Sequence, residues 1–247
     1  MAGTPHVHNI MSKAVEQWAP FVAANISPEL VPVILAIIEN ESGGQAGIPS
    51  YAATKFHEQI PSRSGGSVLV DRAYGLMQVI PVVYLDYNRK HTDKIYWEDI
   101  SGTSKAAGQA QIKAGIWTFL NNVRAIEAFT GQKLVLNGQL NWDLLNLVLI
   151  SYAWGIGRVR KKLTDLIERN LAPTFDNIKS LWPELGLPAN QPLVYAGRIY
   201  NKALKYGGQV WEAVEETVSQ FPVKETAGGA ALALAVGFIL LQMFKAR

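Results

Sequence analysis

One glutamate in this sequence has the surroundings that a general acid needs. Glu41 lies near the end of LVPVILAIIENESGG, a segment preceded by the helix-start signal Ser27-Pro28-Glu29. At about 100° per residue, it shares a helix face with the apolar residues Leu30, Ile34, Ile37 and Ile38. Burial and the negative end of the helix dipole both raise the pKa of such a carboxyl group, which can then donate a proton near neutral pH. The alternative is a frayed helix end with Glu41 in water.

Two further motifs combine glycine with aromatic and amide side chains. They read Ala73-Tyr74-Gly75-Leu76-Met77-Gln78 and Ser151-Tyr152-Ala153-Trp154-Gly155-Ile156-Gly157-Arg158-Val159. Either motif alone is typical of core residues with glycines at turns. The sequence contains no GxSxG, HExxH or phosphate-binding glycine loop. A serine nucleophile, a zinc hydrolase site and a nucleotide site are therefore not indicated.

Taken in order, the three motifs resemble the soluble lytic transglycosylase family of lysozyme-like domains. The segments that carry the resemblance are Glu41-Ser42-Gly43, Gly75-Leu76-Met77-Gln78, and Tyr152 with Gly155 and Arg158-Val159. Three other stretches are similar to the same family, namely Pro28-Glu29-Leu30, Gly115-Ile116-Trp117-Thr118-Phe119-Leu120 and Tyr195-Ala196-Gly197-Arg198-Ile199. An ordered set of this length is far more specific than any one short motif.

The resemblance implies a role for individual residues. Glu41 would be the sole catalytic acid. The implied substrate-binding residues are Ser42, Met77, Gln78, Tyr152 and Tyr195. The sequence departs from the family pattern at Ala153, where an Asn is usual, and at the neighbouring Trp154. The family's serine that binds the acid has no clear counterpart, with Ser67 the nearest candidate.

The implied reaction is cleavage of the MurNAc–GlcNAc bond of peptidoglycan to give 1,6-anhydro-MurNAc, with no metal and no cofactor. Two alternatives stay open. The run from Asp71 to Gln78 also resembles goose-type lysozyme, so Asp71 is a candidate second carboxylate that would direct a water molecule in a hydrolase. A non-catalytic peptidoglycan-binding protein on the same fold is the other alternative, and the departures at Ala153 and Trp154 favour it.

Composition narrows the class of protein. The 247 residues carry 23 Lys and Arg against 20 Asp and Glu, a formal charge of +3, without a broad basic face. Nucleic-acid binding is therefore not expected. The absence of cysteine excludes disulfide scaffolds and thiol chemistry. Hydrophobic residues make up 49% of the chain, which is enough for a globular core.

The periodicity predicts a mainly α fold of lysozyme-like architecture. After the first helix, we predict helices over about 104–129, 142–154, 158–170, 191–206 and 208–220. Asn137-Gly138 predicts a tight hairpin. The polar stretch 44–71 is interpreted as an insertion, with a short strand at 68–70.

The C-terminal residues 227–244 are free of charged side chains and predict a single transmembrane helix. We divide the chain into an N-terminal segment (1–24), a transglycosylase-like domain (25–221), a linker (222–226) and this anchor. No signal peptide is evident. The expected location is therefore membrane-anchored on a phage particle, with other virion proteins as partners and the host envelope as the place of action.

Overall fold

The computed structural model describes residues 11–181 and 191–219. This part of the chain is mainly helical. The helices are α1 (Lys13–Glu16), α2 (Ala19–Ala23), α3 (Val31–Ser42), α4 (Pro81–Lys90), α5 (Trp97–Ser101), α6 (Lys105–Thr130), α7 (Trp142–Trp154), α8 (Ile156–Glu168), α9 (Phe175–Leu181) and α10 (Gln191–Ser219). The strands are β1 (Pro49–Pro61), β2 (Ser67–Tyr74), β3 (Val135–Leu136) and β4 (Gln139–Leu140).

Helix α3 forms the centre of the core. Every residue from 31 to 38 is buried, because α1, α2 and α10 pack against this helix. A helix with apolar residues on all sides is stable in water only when it is enclosed in this way. A 3-10 turn at Pro28–Leu30 precedes it, so Pro32 lies in the first α turn, where its missing N–H costs nothing. The predicted helix is confirmed, and its α-helical part begins at Val31, one residue before Pro32.

The N-terminal helices belong to the same core. Val15 and Val22 are fully buried, and Trp18 is nearly so. The Trp18 indole N–H donates a hydrogen bond of 3.0 Å to the Gly44 carbonyl just after α3. Residues 13–23 lie within the predicted N-terminal segment (1–24). They nevertheless pack as part of the domain that follows.

The stretch 44–71 contains a long antiparallel hairpin of β1 and β2. Glu58 pairs with Val70 and Ile60 with Val68. We had predicted only a short strand at 68–70. The first strand was missed because most of its residues are polar or small, which gives little alternation. The buried residues of the hairpin include Ile60 on β1 and Val70 on β2.

The other predicted elements are largely confirmed, and their ends have clear local causes. Helix α6 begins at the Ser104 cap and ends at Gly131 with a left-handed φ of 71°. The small hairpin of β3 and β4 turns at Asn137 and Gly138, both with positive φ, as a type I′ turn requires. Helix α7 matches 142–154, and α8 begins two residues before the predicted start.

One prediction about helices was wrong. The two helices predicted over 191–206 and 208–220 are one helix, α10, which runs through the Gly207-Gly208 pair. Ala203 and Tyr206 just before the pair are buried where α10 packs on α3 and α7, and this packing outweighs the low helix propensity of glycine. Helices α4, α5 and α9 were not predicted, because they are short or largely polar.

The predicted membrane helix (227–244) and its linker (222–226) lie outside the described residues. Within the described ranges, no helix is both long and apolar enough to span a bilayer.

Candidate active site

The end of α3 places Glu41 at the edge of the core. Gly43, with a φ of 60°, stops the helix two residues later. Ser42 is buried, and its hydroxyl shares its one hydrogen between the carbonyl oxygens of Ile38 (2.9 Å) and Leu76 (3.0 Å). The second of these bonds ties the end of α3 to the second motif. Ser42 therefore fixes the position of its neighbour Glu41 from inside the core.

The second motif forms a tight turn opposite Glu41. Gly75 and Gln78 both have positive φ, at 80° and 47°. The Gln78 side-chain amide donates to the carbonyls of Ile48 and Gly75, both at 3.0 Å, which holds its side chain in place. Met77 is fully buried, and a Cβ at Gly115 would lie 2.2 Å from its sulfur. Glycine is therefore required at position 115 for α6 to approach this turn.

Tyr152 on α7 connects the third motif to this turn. Its hydroxyl donates a 2.7 Å hydrogen bond to the carbonyl oxygen of Met77. Burial is the main reason that the pKa of Tyr152 lies well above its usual value, and the nearby Glu41 carboxyl adds to it. The hydroxyl therefore stays protonated and keeps donating to the turn.

Tyr195 on α10 approaches Glu41 from another side. Burial first, and then the Glu41 carboxyl, raise the pKa of Tyr195 well above its usual value. Its hydroxyl is buried and has no partner in good hydrogen-bond geometry among the described residues. Its interaction with Glu41 is therefore a hydrogen bond of marginal geometry, which lowers the pKa of Glu41 and leaves the hydroxyl able to donate to the carboxylate once that charge forms.

The surroundings of Glu41 favour the neutral acid. Burial raises the pKa of its carboxyl group above the usual 4.5, and the smaller opposing contributions come from Tyr195 and Asn40. The position at the C-terminal end of α3 acts in the same direction as burial. The sequence-based expectation of a raised pKa agrees with this direction.

A cleft of about 480 Å³ opens above these side chains. It is lined by Glu41, Gln78, Ile80, Tyr152, Ala153, Trp154, Arg158, Pro192 and Tyr195. Three motifs far apart in the sequence therefore meet around one carboxyl group. Among the residues whose side chains the structure describes, no group of three or more His, Cys, Asp or Glu could hold a metal ion.

The family model described as the transglycosylase SLT domain matches residues 21–170. This chain belongs to the SLT domain family. The match covers more than half of the chain and includes the first, second and third motifs. No curated protein and no solved structure matches. The lysozyme-like domain expected from the sequence is thereby confirmed, while Tyr195 and α10 lie beyond the matched residues.

The SLT domain does not bring every predicted site residue to the cleft. Glu41, Gln78, Tyr152 and Tyr195 line it. Ser42 and Met77 do not, because both are buried: Ser42 anchors α3, and Met77 packs on α6. We expected both to contact a sugar. In the structure they instead position their neighbours Glu41 and Gln78, which line the cleft.

Asp71, the candidate second carboxylate, lies on β2 away from the lining of the cleft. Its side chain is half exposed and pairs loosely with Arg72 at 3.6 Å. Ser67, the candidate for the serine that binds the acid, also lies away from the lining of the cleft. Its hydroxyl donates to the side-chain oxygen of Gln59 across the exposed hairpin. The SLT domain thus presents Glu41 as the one carboxyl group among the described residues that line the cleft.

Ile80 and Pro192 line the cleft but were not among the sequence-predicted site residues. Ile80 is the extended residue just before α4, and Pro192 opens the first turn of α10. Both are ordinary apolar residues at helix starts, so the sequence gives no signal for them. Their place depends on how the helices pack.

Proposed function

We propose that this SLT domain is a lytic transglycosylase that cleaves the β-1,4 bond between MurNAc and GlcNAc in peptidoglycan. The observation that carries this proposal is that Glu41, whose pKa is raised by burial, is the one carboxyl group among the described residues that line the cleft. Ordinary glycosidases use two carboxyl groups that flank the bond. A site with one is suited to a reaction in which the substrate supplies its own nucleophile.

The proposed reaction proceeds as follows at Glu41. The carboxyl group gives its proton to the bridging oxygen, and the GlcNAc leaves with a new hydroxyl group. The resulting carboxylate then takes the proton from the C6 hydroxyl of MurNAc, while that oxygen forms a bond to C1. Glu41 ends protonated, and the product carries a 1,6-anhydro ring. No water is consumed.

Tyr195 and Tyr152 support this cycle in different ways. A carboxylate exists only between the two proton transfers, and the buried Tyr195 hydroxyl can donate to it at that stage. Tyr152 holds the Met77 carbonyl and so keeps the turn before Gln78 in place. Gln78 then lines the cleft with a fixed amide group to bind the sugar.

The product distinguishes this proposal from hydrolysis. We expect purified sacculi digested with the wild-type protein to release muropeptides with 1,6-anhydro ends, which mass spectrometry detects as lighter by one water. The Asp71→Asn variant should give the same product at a similar rate, because Asp71 does not line the cleft. Reducing ends that disappear in Asp71→Asn would instead establish the goose-type hydrolase. Binding without any release would indicate the non-catalytic alternative.

The proposal extends to location. Residues 227–244 anchor the enzyme in a lipid membrane, and a phage particle carries it to open the host wall locally at infection. The uncharged C-terminal run supports the anchor. We expect the full chain to co-fractionate with membranes or purified particles until detergent is added, and deletion of 227–247 to abolish this. A full chain that stays soluble and absent from particles would contradict it.

A further inference from the structure

Arg158 gives the cleft a fixed positive charge. Among the described residues lining the cleft, it is the one basic side chain. A guanidinium group stays protonated at any working pH. Arg158 therefore brings a positive charge to the cleft before any substrate binds. The proposed bond cleavage does not use this charge, so it needs a different explanation.

The break between α7 and α8 places Arg158 at the cleft. Gly155 adopts φ 96° and ψ 130°, a conformation that residues with a Cβ rarely reach, and α8 starts at the next residue. The guanidinium carbon of Arg158 lies 5.6 Å from the centre of the Trp154 ring. A guanidinium over an aromatic ring keeps its N–H edges free to bind a planar anion.

Two nearby basic residues on α8, Arg160 and Lys162, differ from Arg158. Lys162 forms an ion pair with Asp165 at 2.9 Å, and Arg160 is exposed outside the cleft. Within the described part of the chain, no carboxylate lies within ion-pair distance of Arg158. Its position in the cleft therefore makes it available to an anionic group brought by a ligand.

We propose that Arg158 binds a carboxylate of the peptidoglycan strand, carried either by the MurNAc lactyl group or by the attached peptide, and so selects strands that bear one. This inference rests on the proposed function. The sugar rings themselves are uncharged, so the Arg158 guanidinium group gains no charge pairing from them. A carboxylate matches the flat, two-pronged edge of the guanidinium group. Arg158 is thus a binding residue that contributes specificity.

Binding to purified sacculi in the Glu41→Gln background tests this assignment without requiring catalysis. We compare the full-length Glu41→Gln protein, in mild detergent, with the same protein carrying Arg158→Ala, Arg158→Lys or Arg160→Ala. We expect Arg158→Ala to weaken binding about tenfold and Arg158→Lys to weaken it less. Arg160→Ala is the matched control, from the same helix but outside the cleft, and should stay within about twofold.

Chemically altered sacculi identify the anion. Amidating all carboxylates should weaken binding of the Glu41→Gln parent about tenfold and remove any further effect of Arg158→Ala. An amidase removes the peptides and frees a lactyl carboxylate on each MurNAc that it strips. If these sacculi still show the effect of Arg158→Ala, a lactyl carboxylate is sufficient as the ligand. If they lose it, the peptide carboxylates are the ligand. Equal binding by the parent and Arg158→Ala would overturn the assignment, whereas no binding by the parent would overturn the proposed function.

Discussion

Glu41→Gln is expected to lower the rate of glycan cleavage by about a thousandfold or more, because one group serves as both acid and base. Glutamine keeps the size of the side chain and its place at the end of α3 but has no proton to transfer. The rate of muropeptide release from sacculi measures the effect. The matched control is Glu39→Gln on the same helix, since Glu39 bonds to Tyr206 and Lys202 and does not line the cleft. Similar rates for wild type and Glu41→Gln would contradict the assignment.

The same variant should be at least as stable as the wild type at neutral pH. The folded state raises the pKa of Glu41, so it binds the proton more tightly than the unfolded state does. The stability of the wild type must therefore fall, relative to Glu41→Gln, as pH rises from about 4.5 through the folded pKa. Thermal unfolding of both proteins between pH 4 and 8 measures this difference. A variant that loses stability relative to wild type with rising pH would contradict the sign.

Gln111→Leu is expected to destabilise the fold by about 3 to 4 kcal/mol. Gln111 is fully buried on α6. The two N–H groups of its amide donate to the carbonyls of Asp99 (2.8 Å) and Gly102 (2.9 Å), and the carbonyl of Ile100 shares one of these hydrogens at 3.2 Å. Its oxygen accepts from the backbone N–H groups of Leu76 (3.1 Å) and Gly47 (3.2 Å). Leucine fills similar space but leaves these backbone groups without partners.

Urea unfolding measures the change in the free energy of unfolding for Gln111→Leu. Gln109→Leu is the matched control, because Gln109 lies on the same helix, is only partly buried and makes no such set of bonds. Its change should stay within about 0.5 kcal/mol. A Gln111→Leu protein as stable as the control would show that the bonds from Gln111 are dispensable, and that the turn at 75–78 is held by other contacts.

Much of the candidate site was predictable because local pattern determines it. The apolar stripe of α3 gives the phase of Glu41, and glycines with positive φ mark the turns at 75 and 155. Tyr195 could be placed at the site only through the family resemblance. Nothing in its own segment indicates that α10 packs against the end of α3.

The residues that were missed depend on contacts between distant segments. Gln111 had a usable signal, since it lies on a helix face with the small buried residues Ala107, Gly108, Ala114 and Gly115. A lone polar side chain at the centre of such a face needs buried partners. The hairpin of β1 and β2 had less signal, because its pairing satisfies the backbone while few of its side chains enter the core.

The central claim is that one carboxyl group, Glu41, cleaves the glycan with the substrate's own hydroxyl as nucleophile. Digestion of sacculi in water enriched in ¹⁸O tests it most directly, because hydrolysis places a solvent oxygen on C1 and internal attack does not. We predict anhydro products without ¹⁸O from the wild-type protein, and almost no product from Glu41→Gln. Reducing products that carry one ¹⁸O at C1 would contradict the account.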